Sequence, residues 1–212
     1  MSEKLKEMSV AAFVDLTASD APAPGGGSVS ALFGSLSAAL TGMVAGLTVG
    51  KKKYVEVEAE MREVAAAAEA LKKELVEEID RDSDSFNDFM AAMALPKNTD
   101  EEKAARKAAM QNGLKSAAKV PCHVAETAAR IFPLAKAVVE RGNTNAVTDG
   151  LVAAMAARTA VIGAGLNVKI NLASIEDEDF VAEYSARVAA LEEQAIAAER
   201  EIFALSELTR EI

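Results

Sequence analysis

Asp80, Asp82 and Asp84 stand at alternate positions within a long helix-forming stretch, and Asp82 is the one whose place is chemically informative. The apolar residues Val57, Met61, Val64, Ala68, Leu71, Leu75 and Ile79 recur at intervals of three and four, and the same steps continue to Asp82, Phe86, Met90 and Met93. The stripe that a helix turns toward a core therefore carries a carboxylate. Such a group is costly to bury unless it is paired or protonated. Burial also raises its pKa toward neutrality, where a carboxyl both gives and takes protons. Pairing with a lysine or capping a neighbouring helix would place it there without any chemistry. Asp80 and Asp84, four residues apart, share a different and more exposed face.

The segment Pro22-Ala23-Pro24-Gly25-Gly26-Gly27-Ser28 leads into a helix N-terminus, where free N–H groups and the helix dipole attract anions or polarised carbonyls. Three glycines before a helix also serve as a plain flexible turn. Neither this segment nor Gly46-Leu47-Thr48-Val49-Gly50-Lys51-Lys52 has the spacing and Ser/Thr of a Walker A loop. Lys51, Lys52 and Lys53 suit an acidic ligand, and equally the negative end of the helix they follow. Asn143, Asn145, Asn167 and Asn171 are amides placed near expected helix ends, where caps and turns account for most asparagines. Cys122 and His123 are adjacent and so point about 100° apart on a helix, which makes them packing or surface residues, not a nucleophile pair.

Positioning these groups falls to helices, because Ala, Leu, Glu and Lys dominate and period-two alternation is nearly absent. The expected fold is all-α, one bundle over residues 1–212 with two charge-poor buried central helices. Ser9 caps a first helix that stops before Ser19. Ser28 opens an uncharged helix that ends near Gly50, and a long striped helix runs from about Tyr54 to the break at Leu95-Pro96. Thr99 with Glu102 forms a capping box for a helix that Pro121 closes at about Val120. The next helix, with a kink at Pro133, stops at Gly142. A second charge-poor helix spans about Asp149 to Gly165, and an amphipathic one runs from about Asp179 to the C-terminus.

The balance of 33 acidic and 23 basic residues, a formal charge of -10, opposes nucleic-acid binding. One cysteine and one histidine build neither a disulfide framework nor a Cys/His zinc site, so no metal is expected. Met1 to Glu7 lacks the pattern of a secretory signal, which points to the cytoplasm. Val29 to Val49 is long enough to span a bilayer. Its serines, threonines and glycines instead suit a helix packed on all sides by other helices, so no membrane span is expected.

Taken together, the segments resemble the cyclodeaminase domain of formiminotransferase-cyclodeaminase and its stand-alone relatives along nearly the whole chain. The resemblance is carried by Pro-Ala-Pro-Gly-Gly-Gly-Ser at 22–28, Gly-Lys-Lys-Lys-Tyr at 50–54 and Ile-Asp-Arg-Asp-Ser-Asp-Ser-Phe-Asn at 79–87. Leu-Pro-Lys at 95–97, Glu-Glu-Lys at 101–103, Gly-Asn-Thr-Asn at 142–145 and Asn-Val-Lys-Ile-Asn-Leu at 167–172 add to it in the same order. It implies a helical homodimer, with a tetrahydrofolate one-carbon derivative held in a cleft near the subunit interface.

The resemblance also implies one of two reactions. One is cyclodeamination of 5-formiminotetrahydrofolate to 5,10-methenyltetrahydrofolate; the other is hydrolysis of the methenyl bridge to 10-formyltetrahydrofolate. A formiminotransferase or a formate-tetrahydrofolate ligase would be the pathway partner. The family's catalytic aspartate looks like Asp82, with Asp80 and Asp84 as alternative assignments. Gly25, Gly26, Gly27 and Ser28 are expected at the pterin or the bridge, Lys51 to Lys53 at the glutamate tail, and Asn167 and Asn171 at the heterocycle; Asn143 and Asn145, in the shared Gly-Asn-Thr-Asn motif, are also expected to bind the folate. Relatives usually carry leucine where this chain has Cys122, which argues against a catalytic thiol. A helical scaffold without activity is the reading from a different class.

Overall fold

Ser9 accepts a hydrogen bond from the Ala12 N–H at 3.2 Å and so starts α1, Val10–Thr17. The computed structural model describes residues 4–209; the ends of the expected N-terminal segment and last helix, at 1–3 and 210–212, lie outside it. After α1 come α2 (Gly26–Thr48), α3 (Glu58–Met93), α4 (Asp100–Ala129), α5 (Phe132–Arg141), α6 (Val147–Leu172) and α7 (Glu178–Phe203), with short 3-10 turns between some of them. Among the described residues every regular element is helical. The largest core cluster takes residues from all seven helices, among them Phe13, Ala38, Leu75, Val124, Ala135, Ala157 and Ala195.

Alanine and glycine let α2 lie close against both α3 and α6. Buried hydroxyls on α2 bond to carbonyls, as Ser37 does to Ala153 at 2.7 Å and Thr41 to Ser37 at 2.9 Å, so no polar cost attaches to them. The stripe on α3 is buried as its periodicity demands, from Met61 through Leu75 to Ile79. The capping box of Thr99 and Glu102 starts α4.

Four boundaries differ from the sequence reading. A 3-10 turn over Lys52–Val57 precedes α3, which begins at Glu58 and not at Tyr54. Gly25 is the N-cap of α2, and Ser28 is its third residue. Pro121 does not close a helix but sits inside α4. Only one carbonyl loses its intrahelical donor to a mid-helix proline, and that carbonyl, on Ala117, accepts instead from the Asn171 side chain at 3.0 Å. The break comes at Arg130–Ile131, and Pro133 falls in the first turn of α5, where a missing N–H costs nothing. Finally, α6 continues through Asn167 and Asn171, which are therefore helix-face residues and not end caps.

The charge-poor helices bury one side only. Phe33, Leu36, Met43 and Leu47 on α2 and Val152, Met155, Leu166 and Ile170 on α6 are exposed in the single chain. Both helices are long and apolar enough to cross a membrane, with half of the most apolar window of each buried inside the bundle.

Candidate active site

The stripe on α3 brings Asp82 to the N-terminus of α2. The hydroxyl of Ser28, fully buried, lies 3.1 Å from Asp82 Oδ2 and 2.9 Å from the Ile79 carbonyl and shares its one hydrogen between them. The Ser28 backbone N–H also bonds to the Asp82 carboxylate, so α3 caps the free N–H groups of α2 from outside. Burial pushes the Asp82 pKa above its ordinary value. The two Ser28 bonds pull it down, and the nearby charge of Glu78 raises it further. The outcome is a carboxyl held above the usual range, fixed in orientation by two donors.

The glycines make this approach possible. A β-carbon on Gly27 would lie 2.0 Å from Asp82 Oδ1, and one on Gly26 would lie 2.9 Å from Asn167 Nδ2. Gly25 has open space around it. The serviceable feature of the Gly-Gly-Gly run is thus close packing of a backbone against a carboxyl and an amide.

Asp82, Gly25, Gly26, Gly27, Asn167 and Asn171 line one cleft of about 330 Å³, with Pro22, Ala23, Ser83, Ser85, Phe86, Ala117 and Ile170 completing its wall. A hollow of about 530 Å³ beside Arg158 and Glu199 and an apolar groove of about 420 Å³ between α1 and α2 are larger. Neither contains a carboxyl fixed by an opposing helix N-terminus. The Asn167 amide nitrogen donates to the Gly163 carbonyl at 2.9 Å, and that of Asn171 to Ala117 and Asn167 carbonyls. Among the described residues no three His, Cys, Asp or Glu side chains form a metal cluster.

The chain as a whole has relatives. The family model for formiminotransferase-cyclodeaminase matches residues 9–190. A methenyltetrahydrofolate cyclohydrolase of Methylorubrum extorquens is 44% identical over 171 residues, which is 81% of this chain and 82% of that protein. The chain belongs to the formiminotransferase-cyclodeaminase family. The formimidoyltransferase-cyclodeaminase of Gallus gallus is 41% identical over 184 residues, 87% of this chain but only 34% of the relative, so the chain spans about a third of that protein's length. A solved formiminotetrahydrofolate cyclodeaminase of Thermotoga maritima has a TM-score of 0.85 and 30% identity, covering 95% of this chain and 97% of that chain.

Not every family-motif residue meets at the cleft. Asp80 turns to the N-terminal segment, where its Oδ1 accepts from the Leu5 N–H at 2.7 Å, and Asp84 is exposed. Lys51, Lys52 and Lys53 lie beyond the opposite end of α2, which is about 35 Å long. There Asn143 holds the end of α2, donating Nδ2 to the Leu47 carbonyl at 3.0 Å and accepting from the Asn145 N–H at 3.1 Å. Tyr54 and Thr144 bond to each other at the same place. Cys122 is buried with its thiol pushed up to about 11 by burial and Glu126, and His123 lies 3.1 Å from Glu74. Neither lines the cleft.

Sequence reasoning missed Glu78. It is a buried carboxylate one turn before Asp82, bonded by Arg81 at 3.0 Å, with Oε2 lacking a partner among the described residues. Its signal was available, since i, i+4 spacing puts it beside Asp82.

Proposed function

We propose that the chain is a formiminotetrahydrofolate cyclodeaminase that uses Asp82 as its acid/base group. The carrying observation is the single carboxyl, raised in pKa and fixed by Ser28, in the wall of the Gly25–Asn171 cleft.

The chemistry needs one such group. N10 of the adduct attacks the amidine carbon on N5 and gives a tetrahedral aminal bearing an NH2. The C–N bond to that group breaks once its nitrogen takes a proton, and protonated Asp82 supplies it. Ammonia leaves, and the C–N electron pair leaves with it. The Asp82 carboxylate then faces the methenyl cation and stabilises it, more strongly for lying away from bulk water.

A second reading is methenyltetrahydrofolate cyclohydrolase, favoured by the match to the Methylorubrum extorquens protein over most of both chains. In that direction the Asp82 carboxylate draws a proton from the water that adds to the cationic carbon. The same cleft serves, with water in place of ammonia.

The folate site is further read as completed by a second copy. The exposed apolar stripe of α6 reaches the cleft at Ile170, which belongs to both the stripe and the cleft wall. A two-fold pairing across α2 exchanges the ends of that helix, so the partner's Lys51 to Lys53 approach the cleft, where they suit the carboxylates of a glutamate tail.

The test is to supply 5-formiminotetrahydrofolate and 5,10-methenyltetrahydrofolate separately and follow methenyl absorbance. Its appearance from the first identifies a cyclodeaminase, and its loss from the second a cyclohydrolase. A wild-type chain that changes neither, and whose melting temperature no folate adduct raises, is a scaffold and overturns both readings.

A further inference from the structure

The Asn171 side-chain nitrogen donates twice, to the Ala117 carbonyl at 3.0 Å and to the Asn167 carbonyl at 2.8 Å. A carboxamide NH2 has two hydrogens, so both are engaged and the two ends of the amide are not interchangeable. Its oxygen accepts nothing from the described residues, and Asn171 is in the wall of the cleft. Asn167 has the same polarity, with its nitrogen held by Gly163 and its oxygen without a protein donor.

The Ala117 carbonyl is open to a side chain because of Pro121. In a helix that carbonyl would accept from the N–H four residues on, and proline has none. Pro121 is buried inside α4 and does not itself line the cleft.

We propose that Pro121 is a positioning residue for ligand binding. By leaving the Ala117 carbonyl without a backbone donor it fixes the Asn171 amide, so that Asn171 presents an acceptor oxygen to an N–H-bearing edge of the ligand. This rests on the reading of the cleft as a folate site. Asn167 and Asn171, one turn apart on α6, then both offer acceptor oxygens, and the matching ligand edge carries several N–H donors, as the amino and ring N–H groups of a reduced pterin do. Asn171 in this reading is a receptor for donors, whereas a freely turning amide would accept either kind of group.

A double-mutant cycle tests the pair. Pro121→Ala returns an N–H to the Ala117 carbonyl and releases Asn171. KM for the folate adduct then rises about threefold to tenfold, the loss of one neutral hydrogen bond, and rises by more than kcat falls. The melting temperature does not drop, because alanine suits a helix interior better than proline. In an Asn171→Ala background Pro121→Ala leaves KM where it was. An unchanged KM for Pro121→Ala alone, or the same factor in both backgrounds, overturns the proposal.

Hydrogen exchange of the Asn171 side-chain NH2, followed by NMR on the unliganded wild-type protein, reads the geometry without turnover. Slow exchange that becomes fast in Pro121→Ala supports the pair, and fast exchange in the wild type overturns it. Slow exchange in a protein that binds no folate adduct overturns the folate reading and leaves the pair intact.

Discussion

Gly27 gives Asp82 the space it occupies: all three nearest atoms to a β-carbon built at Gly27 are Asp82 carboxyl atoms, at 2.0, 2.4 and 2.5 Å. Gly27→Ala must therefore displace that carboxyl from the Ser28 donors. Displacing a short side chain costs about 1–3 kcal/mol of stability. The larger effect is on turnover, which should fall by roughly a hundredfold or more as the proton donor moves from its place. Steady-state kinetics and thermal melting of the one variant measure both, and a variant with wild-type kcat would show that Asp82 is not the donor.

Asp82→Asn keeps the shape and still accepts from Ser28, but holds no transferable proton. Turnover should drop about 10²–10⁴-fold with folding intact. Stability should move the other way. Because the folded-state pKa lies above 3.8, the native state holds its proton more tightly than the unfolded chain, so stability falls as pH rises from 3.8 through the folded value and stays reduced above it. The Asn variant escapes that penalty. It should be more stable than wild type at neutral pH, and the difference should vanish below pH 3.8; urea melts at two pH values would show a constant difference if burial of the charge were not the cause.

At the far end of α2, Tyr54 and Thr144 join the Gly-Lys-Lys-Lys-Tyr and Gly-Asn-Thr-Asn motifs. The Thr144 hydroxyl, its backbone N–H and Lys53 lower the Tyr54 phenol to about 8. Tyr184, the only other tyrosine, is shifted upward, mainly by burial. A phenolate absorbance titration should thus show two separated steps. Thr144→Val should move the lower one toward 10, the ordinary value, and a single step in the wild type would contradict the arrangement.

The burial of the α3 stripe, the Thr99 capping box and the place of Asp82 were legible because each depends on local spacing, 3.6 residues per turn or three residues to a cap. Pro121 and Asn171 were not. Whether a proline ends a helix depends on whether its lost hydrogen bond is replaced from elsewhere, and the replacement comes from 50 residues on in sequence. The same holds for Asp80, whose face looked exposed until the N-terminal segment folded over it through Leu5. Family motifs in turn gathered residues from both ends of α2 that one chain keeps apart.

That separation makes the assembly testable. Leu36 is half exposed on the α2 stripe, in a helix without a single charge, so a carboxylate there is harmless to a lone chain and costly in a dimer interface. Wild-type protein should show twice the chain mass by light scattering, and Leu36→Glu the mass of one chain with its helical signal preserved. Loss of activity should accompany dissociation if Lys51 to Lys53 act across the interface. A wild-type protein of single-chain mass would dismiss the arrangement.

The pH dependence of the two reactions separates them at one residue. Ammonia release requires Asp82 protonated, so kcat/KM for 5-formiminotetrahydrofolate should decline as pH rises through the raised Asp82 pKa. Hydration of the methenyl bridge requires the carboxylate, so kcat/KM for that substrate should climb through the same value. Both limbs belong to one group in the free enzyme, and their midpoints must coincide above 3.8. Ser28→Ala removes the donor that holds the pKa down, since the hydroxyl favours the charged form, and should move both midpoints upward together. Midpoints that shift apart, or that lie at the ordinary carboxyl value, would assign the proton to a group other than Asp82.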